Sequence, residues 1–333
     1  MVILNCNGWR DTEKCLKSFF KQTYDNYHIL LIDNGSHNES VAKLSKIKHK
    51  KLTFIQEPVN LGFAGGVNIG IRRSIEEKYD YVMLLNNDAQ AEPDWLEVMI
   101  KTFKDHPDIG ASTGLLLTAD GKRIDGAGDT FSKWGIPALR LNEEPRRLAP
   151  ESGYVFGATG GATLYRTDLF REIGLYDEKY FAYDEDVDIS FRTQLAGYKI
   201  WYEKSAIAYH KHSATAKKMP GLITKQLFRN LPMLFIKNMP FPLTISVGFR
   251  FFLLYWLFLP YVTLKGDFKY AIKGLFASVT LWPHAFRERR RIQKSKKVDY
   301  KYIKSIMYPK IPLRSVRKIE EVFRVKINRK NRS

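Results

Sequence analysis

Cysteine is nearly missing from this 333-residue chain: Cys6 and Cys15, nine positions apart, are the only two. Neither sits in a CxxC pair or a Cys/His ligand spacing, so two reduced thiols are expected rather than a disulfide or zinc site. No basic stretch followed by an apolar run opens the sequence, and Met1 leads straight into "VIL". A secretory signal is therefore not expected, and the fold is expected to start at once. GxGxxG is also absent after the first apolar run, where "NCNGWRDT" stands instead. That discards a nicotinamide-dependent oxidoreductase. Internal repeats and low-complexity linkers are missing too. Finally, the last third is short of acid: residues 217–333 hold 27 Lys and Arg against 5 Asp and Glu, whereas residues 1–216 hold 27 against 30.

A near-neutral body with a strongly basic end points to a polyanionic partner, either nucleic acid or an anionic membrane surface. Nucleic-acid binding predicts aromatics interleaved with Lys and Arg and no long neutral apolar run. The stretch "FPLTISVGFRFFLLYWLFLPYV" (241–262) argues against it.

The first half alternates strand and helix. Strands are expected at "VILN" (2–5), "HILLID" (28–33), "KLTFIQ" (51–56) and "YVMLLN" (81–86). Helices are expected from Asp11 or Thr12 to about Gln22, over about 40–50, from the Gly-rich segment to about Lys78, and from Pro93 to about Asp105. Alternation of this kind implies an α/β fold, a mainly parallel sheet with helices on both faces. Such sheets bind ligands at the carboxyl ends of their strands, where Asn5 to Asn7, Asp33–Asn34 and Asn86 to Asp88 fall. From about 110 to 165, Gly, Asp, Thr and Pro suggest irregular strands and loops covering a site. A helix over about 185–196 and strands near "KIWY" and "AIAYHKHS" follow.

Three motifs carry candidate chemistry. "NLGFAGGVNIGI" (60–71) suits backbone amides approaching a diphosphate, and equally a tight turn with close helix packing. "LLNNDA" (84–89) ends an apolar strand in Asn86, Asn87 and Asp88; the carboxylate is either a cap or turn former or an oxygen ligand for Mg²⁺ or Mn²⁺. His210 and His212 lie beyond a later strand, and either suits Mn²⁺ beside Asp88. "FAYDEDVDISFR" (181–192) packs Asp184, Glu185, Asp186 and Asp188 into five positions. Taken singly, that reads as a capped, solvated helix start; beside a ligand, one carboxylate serves as general base.

Together with "VILNCNG", "IDNGSHNES" and "GATGGATLYR", these motifs occur in the order shown by family-2 glycosyltransferases of the GT-A fold. The chain resembles the rhamnosyltransferase-like branch that builds surface polysaccharides, over about residues 1 to 215. The resemblance implies that Asn5, Asn7, Asp33 and Asn34 line the nucleotide pocket, with Asn60 and Asn68 in the donor loop and the helix after it. Asn87 and Asp88 belong to the donor site, and Asp88 matches the last acid of the family's metal-binding DxD motif. Asn86 stands where that motif has its first acid. Gly160 and Gly161 match a loop near the transferred sugar. Asp186 matches the general base, with Glu185 its partner, and His210 matches the later metal-ligating His better than His212 does.

The implied activity is inverting transfer of rhamnose or a hexose from a dTDP- or UDP-linked donor to a lipid-linked or oligosaccharide acceptor, with Mn²⁺ or Mg²⁺. A nucleotide-sugar half is expected over about 1–110 and an acceptor half over about 110–215. Two rivals are a sugar nucleotidyltransferase, whose Gly-rich basic motif should sit near the N-terminus, and a non-catalytic nucleotide-sugar-binding protein. Residues 216–333 are expected to form a basic, apolar-rich helical region. Residues 241–262 are long enough to span a bilayer, with Arg250 their only charge. Nucleotide sugars are cytosolic, however, so one span would put residues 284–333, with 18 Lys and Arg against 4 acids, on the far side. A shallow or re-entrant hairpin returned by "YAIKGLFASVTLW" (270–282) keeps both ends cytosolic. Its basic stripe (Lys265, Lys269, Lys273) and apolar stripe (Phe268, Ile272, Leu275, Val279) fit an interfacial helix. Monotopic attachment to the cytoplasmic face of an anionic membrane is the expectation; a buried helical pair or a dimer contact competes with it.

Overall fold

The computed structural model describes residues 1–211, 220–312, 315, 316 and 320. His212 therefore lies outside the described residues. Two compact units emerge: Met1–Asp129 with Leu139–Ser213, and Thr130–Ala138 with Ala214–Ser333.

The first unit opens with β1 (Val2–Asn5), α1 (Trp9–Phe19), β2 (Ile29–Asn34), α2 (Ser40–Leu44), β3 (Leu52–Glu57), α3 (Gly62–Glu76) and β4 (Tyr81–Asn86). All four strands pair in parallel, in the order β4-β1-β2-β3. β2 is buried along its whole length, as an apolar run between two helix-covered faces requires. α3 lies close to the sheet because Gly66 and Gly70 face it: a Cβ there would come within 2.4 Å of Leu4 and Val2. α1 starts earlier than its polar residues suggest, with Gly8 before it and no side-chain cap. Thr12 sends its hydroxyl to Asn5 instead.

β5 (Ala89–Ala91) and α4 (Trp95–Asp105) lead into β6 (Ile109–Thr118), then β7 (Ile124–Gly126). β6 overturns the expectation of irregular structure after residue 110: nine of its ten residues are buried. Its glycines and threonines concealed a central strand. After an excursion through β8 (Asp129–Phe131) and β9 (Pro137–Leu139), the chain returns with β10 (Gly153–Val155), β11 (Ala162–Arg166) and α5 (Thr167–Ile173). α6 (Glu185–Leu195) and β12 (Lys199–His210) complete the unit. β12 is one strand where two were expected, with a register shift between Glu203 and Ile207. The sheet order is β10-β12-β6-β11-β4-β1-β2-β3, and β11 runs antiparallel between β4 and β6. One core layer packs around Phe19, Trp95 and Phe103; the other around Ile71, Tyr165 and Ile189.

The second unit holds α7 (Leu222–Asn238), α8 (Phe241–Leu264), α9 (Phe268–Ser295) and α10 (Tyr300–Ile306). α7 packs along α9. Arg289 of α9 donates to the carbonyls of Ile236 and Met239 at 2.7 and 2.6 Å, satisfying the C-terminal end of α7. α8 is two-faced: Leu243, Val247, Leu254 and Phe258 are buried, while Phe241, Ile245, Phe249, Phe252 and Trp256 are exposed. Among the described residues it is the one helix long and apolar enough to cross a membrane.

Candidate active site

The carboxyl ends of β1, β2 and β4 carry the polar residues that the apolar strands deliver there. Asn5 donates to Asp33 Oδ2 at 2.6 Å, and Ser36 holds both Asp33 oxygens through its amide (3.0 Å) and hydroxyl (2.8 Å). Asn5 Oδ1 accepts from Thr12 at 2.8 Å, and Thr12 Oγ1 in turn accepts from Asn87 at 2.8 Å. Asn7, in the left-handed region that asparagine tolerates, donates its amide to Ser36 Oγ. Asp33 is fully buried, so it acts from beneath this network, ordering the loop over it.

Asn34 and Asn60 form the neighbouring turn. Asn34 donates to Gly62 O at 2.9 Å and accepts from the Leu61 amide at 3.0 Å; Asn60 accepts from the Gly62 amide at 2.8 Å. Asn68 is not brought to this cluster. Buried on α3, it holds the Tyr176 amide and carbonyl and Glu178 Oε1, fixing the segment ahead of α6.

At the end of β12, His210 Nε2 meets Asp88 Oδ1 at 2.9 Å, and its Nδ1 meets Asp125 Oδ2 at 2.7 Å. Burial opposes the charged imidazole, but hydrogen bonds and charge from Asp125 and Asp88 prevail and push its pKa up to about 9. Asp125 is a residue the sequence reading missed. Its only signal is an acid between an apolar residue and glycine in "RIDGAG", inside a stretch whose Gly, Asp, Thr and Pro content suggests irregular strands and loops. A carboxylate behind a histidine fixes which ring nitrogen faces a metal. Among the described residues no three His, Cys, Asp or Glu side chains are arranged to cage an ion. Asp88 and His210 nevertheless fit a divalent cation that completes its shell with phosphate oxygens and water, the habit of Mg²⁺ and Mn²⁺.

Asn86, Asn87 and Asp88 bind these parts together. Asn87 joins the Asn5–Thr12 network, Asp88 meets His210, and the Asn86 amide donates to Gly161 O at 3.0 Å. The preceding residue of that loop, Gly160, lies against the catalytic candidate: a Cβ there would sit 2.8 Å from Asp186 Oδ2.

The acidic cluster divides its roles. Asp188 is fully buried and paired with Arg192 at 2.9 Å, a structural ion pair. Glu185 is buried, its Oε2 without a hydrogen-bond partner among the described residues, and burial followed by the Asp186 charge pushes its pKa well up. Asp184 precedes the helix in the left-handed region, and burial and Asp186 raise its pKa to about 8. Burial also raises Asp186, while amides of Val187 and Gly160 favour its ionised form. A half-buried carboxylate with a raised pKa, next to a glycine loop, is equipped to accept a proton.

Residues 1–174 match the family model described as glycosyl transferase family 2. Poly-beta-1,6-N-acetyl-D-glucosamine synthases of Staphylococcus aureus (strain MSSA476) and Staphylococcus epidermidis are 29% and 27% identical over 209 residues, 62% of this chain and 48% of theirs. The chain thus spans about half the length of the curated relatives it matches. GalNAc-T7 with UDP, GalNAc and Mn²⁺ superposes with TM-score 0.52 and 19% identity over 63% of this chain and 42% of that one. The mannosyltransferase PcManGT from Pyrobaculum calidifontis, in complex with GDP-Man and Mn²⁺, gives TM-score 0.54 and 13% identity over 92% and 84%. These likenesses show the fold, which is GT-A.

Proposed function

The chain belongs to glycosyl transferase family 2, and on that premise we propose that it moves one sugar, with inversion, from a nucleotide-diphosphate donor to a saccharide hydroxyl. The observation that carries this reading is the strand end Asn86–Asn87–Asp88, which links the polar pocket, the His210 corner and the Gly160–Gly161 loop at Asp186. The network of Asn5, Asn7, Asp33, Asn34, Asn60 and Asn87 seats the nucleotide, and Asn68 holds the donor-side helix α3 in place. Asp88 and His210 hold Mn²⁺ or Mg²⁺, with Asp125 orienting the imidazole. When bound, the cation supplies positive charge for the departing diphosphate. Asp186 takes the proton of the acceptor hydroxyl as it attacks the anomeric carbon from the face opposite the nucleotide. Glu185, whose pKa burial and the Asp186 charge push well up, stands beside it as its partner.

The donor is a dTDP- or UDP-linked rhamnose or hexose, as in the rhamnosyltransferase-like branch. The polysaccharide synthases among the relatives support a saccharide acceptor and add an N-acetylhexosamine to the donors to be screened. The acceptor is lipid-linked, met at the cytoplasmic face of an anionic membrane. Two features of the second unit support that: the exposed apolar face of α8, and exposed Lys265, Lys269 and Lys273 at and beyond its end.

The test is a donor screen scored by nucleoside diphosphate release, with and without Mn²⁺ or Mg²⁺. Wild type should release it, and Asp186→Asn should bind donor normally while turning over at least about 100-fold more slowly. Near-normal turnover by Asp186→Asn refutes the assignment. Pyrophosphate-dependent cleavage would instead mark a nucleotidyltransferase, and donor binding without turnover a binding protein.

A further inference from the structure

Two aromatic rings just ahead of α6 have no part in the chemistry above. Phe181 and Tyr183 are 38% and 37% exposed, although large aromatics ordinarily bury their faces. Both hold φ near +65 to +69°, a region costly for bulky residues. Such strain persists only where the surroundings enforce it, and it clusters at functional sites. Contacts that hold Phe181 are visible here: the Phe63 amide donates to Phe181 O at 2.6 Å, and the Phe181 amide donates to Glu178 O at 3.2 Å.

The rings also occupy a particular path. Phe181 lies over Gly62, where the Asn60 turn becomes α3; a Cβ on Gly62 would come within 2.6 Å of the ring. Gly62 itself has φ +74°, so that turn is shaped for the ring. Tyr183 stands three residues before Asp186, directly ahead of the Asp184 that opens α6. The two residues therefore belong to the segment that leads from the donor turn at Gly62 to the base at Asp186. Leu61, 38% exposed, extends the apolar surface on the donor side.

We propose that Phe181 and Tyr183 form a platform for a pyranose ring of the acceptor saccharide. A pyranose presents one face of C–H bonds and a rim of hydroxyls. The C–H face suits an aromatic surface, and the rim suits the carboxylates beside it. Seating the ring there brings one hydroxyl toward Asp186 and away from competing orientations, which is how remote contacts raise the rate of a two-substrate reaction. The strained backbone lifts the rings to meet the sugar.

This inference deepens the glycosyl-transfer reading and rests on it, and the experiment separates the two. Full-length protein is used with UDP and Mn²⁺ present, and octyl β-D-glucopyranoside and a β-1,6-linked N-acetylglucosamine trimer serve as saccharide probes. Binding is read by saturation-transfer NMR, and UDP affinity by calorimetry. Tyr183→Gly removes the ring and relaxes the φ +69° position, so its thermal midpoint should not fall. Saccharide affinity should drop roughly tenfold, while Tyr183→Phe retains it. Phe181→Gly should behave like Tyr183→Gly, with UDP affinity kept in the Tyr183 variants. Equal saccharide affinity in wild type and Tyr183→Gly overturns the platform, as does failure of both probes to bind wild type. Absence of binding by UDP, GDP and dTDP alike would sink the glycosyl-transfer reading and this inference with it.

Discussion

Asp184→Asn should stabilise the protein at neutral pH and do nothing at pH 4. Asp184 enters α6 beside Asp186, and burial followed by that neighbouring charge raises its pKa to about 8. At pH 7 the folded chain keeps this carboxyl protonated, whereas an unfolded chain, with the ordinary value of 3.8, has released the proton. A carboxyl whose folded pKa is raised helps fully only below its unfolded value, and that help fades as pH rises toward the folded one. The three pH units between are worth about 1.4 kcal/mol each, which sets roughly 4 kcal/mol as the upper bound at pH 7. Residual solvent contact and sharing with Asp186 reduce the expected gain to about 2 kcal/mol, or several degrees in Tm. Asparagine cannot ionise and tolerates the left-handed backbone, with φ +69° here. Thermal unfolding from pH 4 to pH 9 checks this: the difference from wild type should be near zero at pH 4 and grow to a plateau above pH 8. A difference that is constant with pH, or largest in acid, refutes the argument.

Asp125→Asn should leave His210 in place but loosen its tautomer, weakening Mn²⁺-dependent UDP binding by about 10- to 100-fold in calorimetry. Unchanged affinity would remove Asp125 from the metal corner. Ile245→Glu with Phe249→Glu on the exposed face of α8 should leave the fold intact, since both side chains are about 70% exposed. Binding to anionic vesicles should fall by at least about tenfold, because a buried side chain of this size is worth about 1.5–3 kcal/mol. Retained vesicle binding would move the membrane contact elsewhere.

Local pattern revealed much of the first unit. β1 to β4 and their helices follow from apolar runs punctuated by glycine, asparagine and aspartate, each placed within a few residues except the helix expected over 40–50, which ends at Leu44. β6 did not, because its glycines and threonines are tolerated by neighbours in the sheet, which no local window contains. The same holds at the site. Asn5, Asp33 and Asp88 announce themselves by standing at strand ends, but Thr12 looks like a helix cap and Ser36 like a turn residue until the fold joins them to Asn5 and Asp33. Asp125 and His210 lie 85 positions apart, and only the pairing of β12 and β7 with β6 brings them together. Asn68 shows the reverse: an asparagine on α3, just after the Gly-rich turn, whose side chain is spent on the Tyr176–Glu178 segment.

The excursion through Thr130–Ala138 has a practical consequence for anyone recombining this chain with its relatives. Those nine residues belong with the C-terminal third: Phe131 O accepts from the Tyr308 amide, the Lys133 amide reaches Tyr308 O, and Gly135 packs on Phe251. The two units are therefore interleaved along the gene rather than joined end to end. Cutting after residue 213 would strip Phe131 and Ile136 of their cover and leave an apolar loop in mid-chain, a seed for aggregation. A transplant of the basic helical third must carry residues 130–138 with it as a second fragment. Point substitutions on α8, rather than truncation, are accordingly the way to ask what that third does.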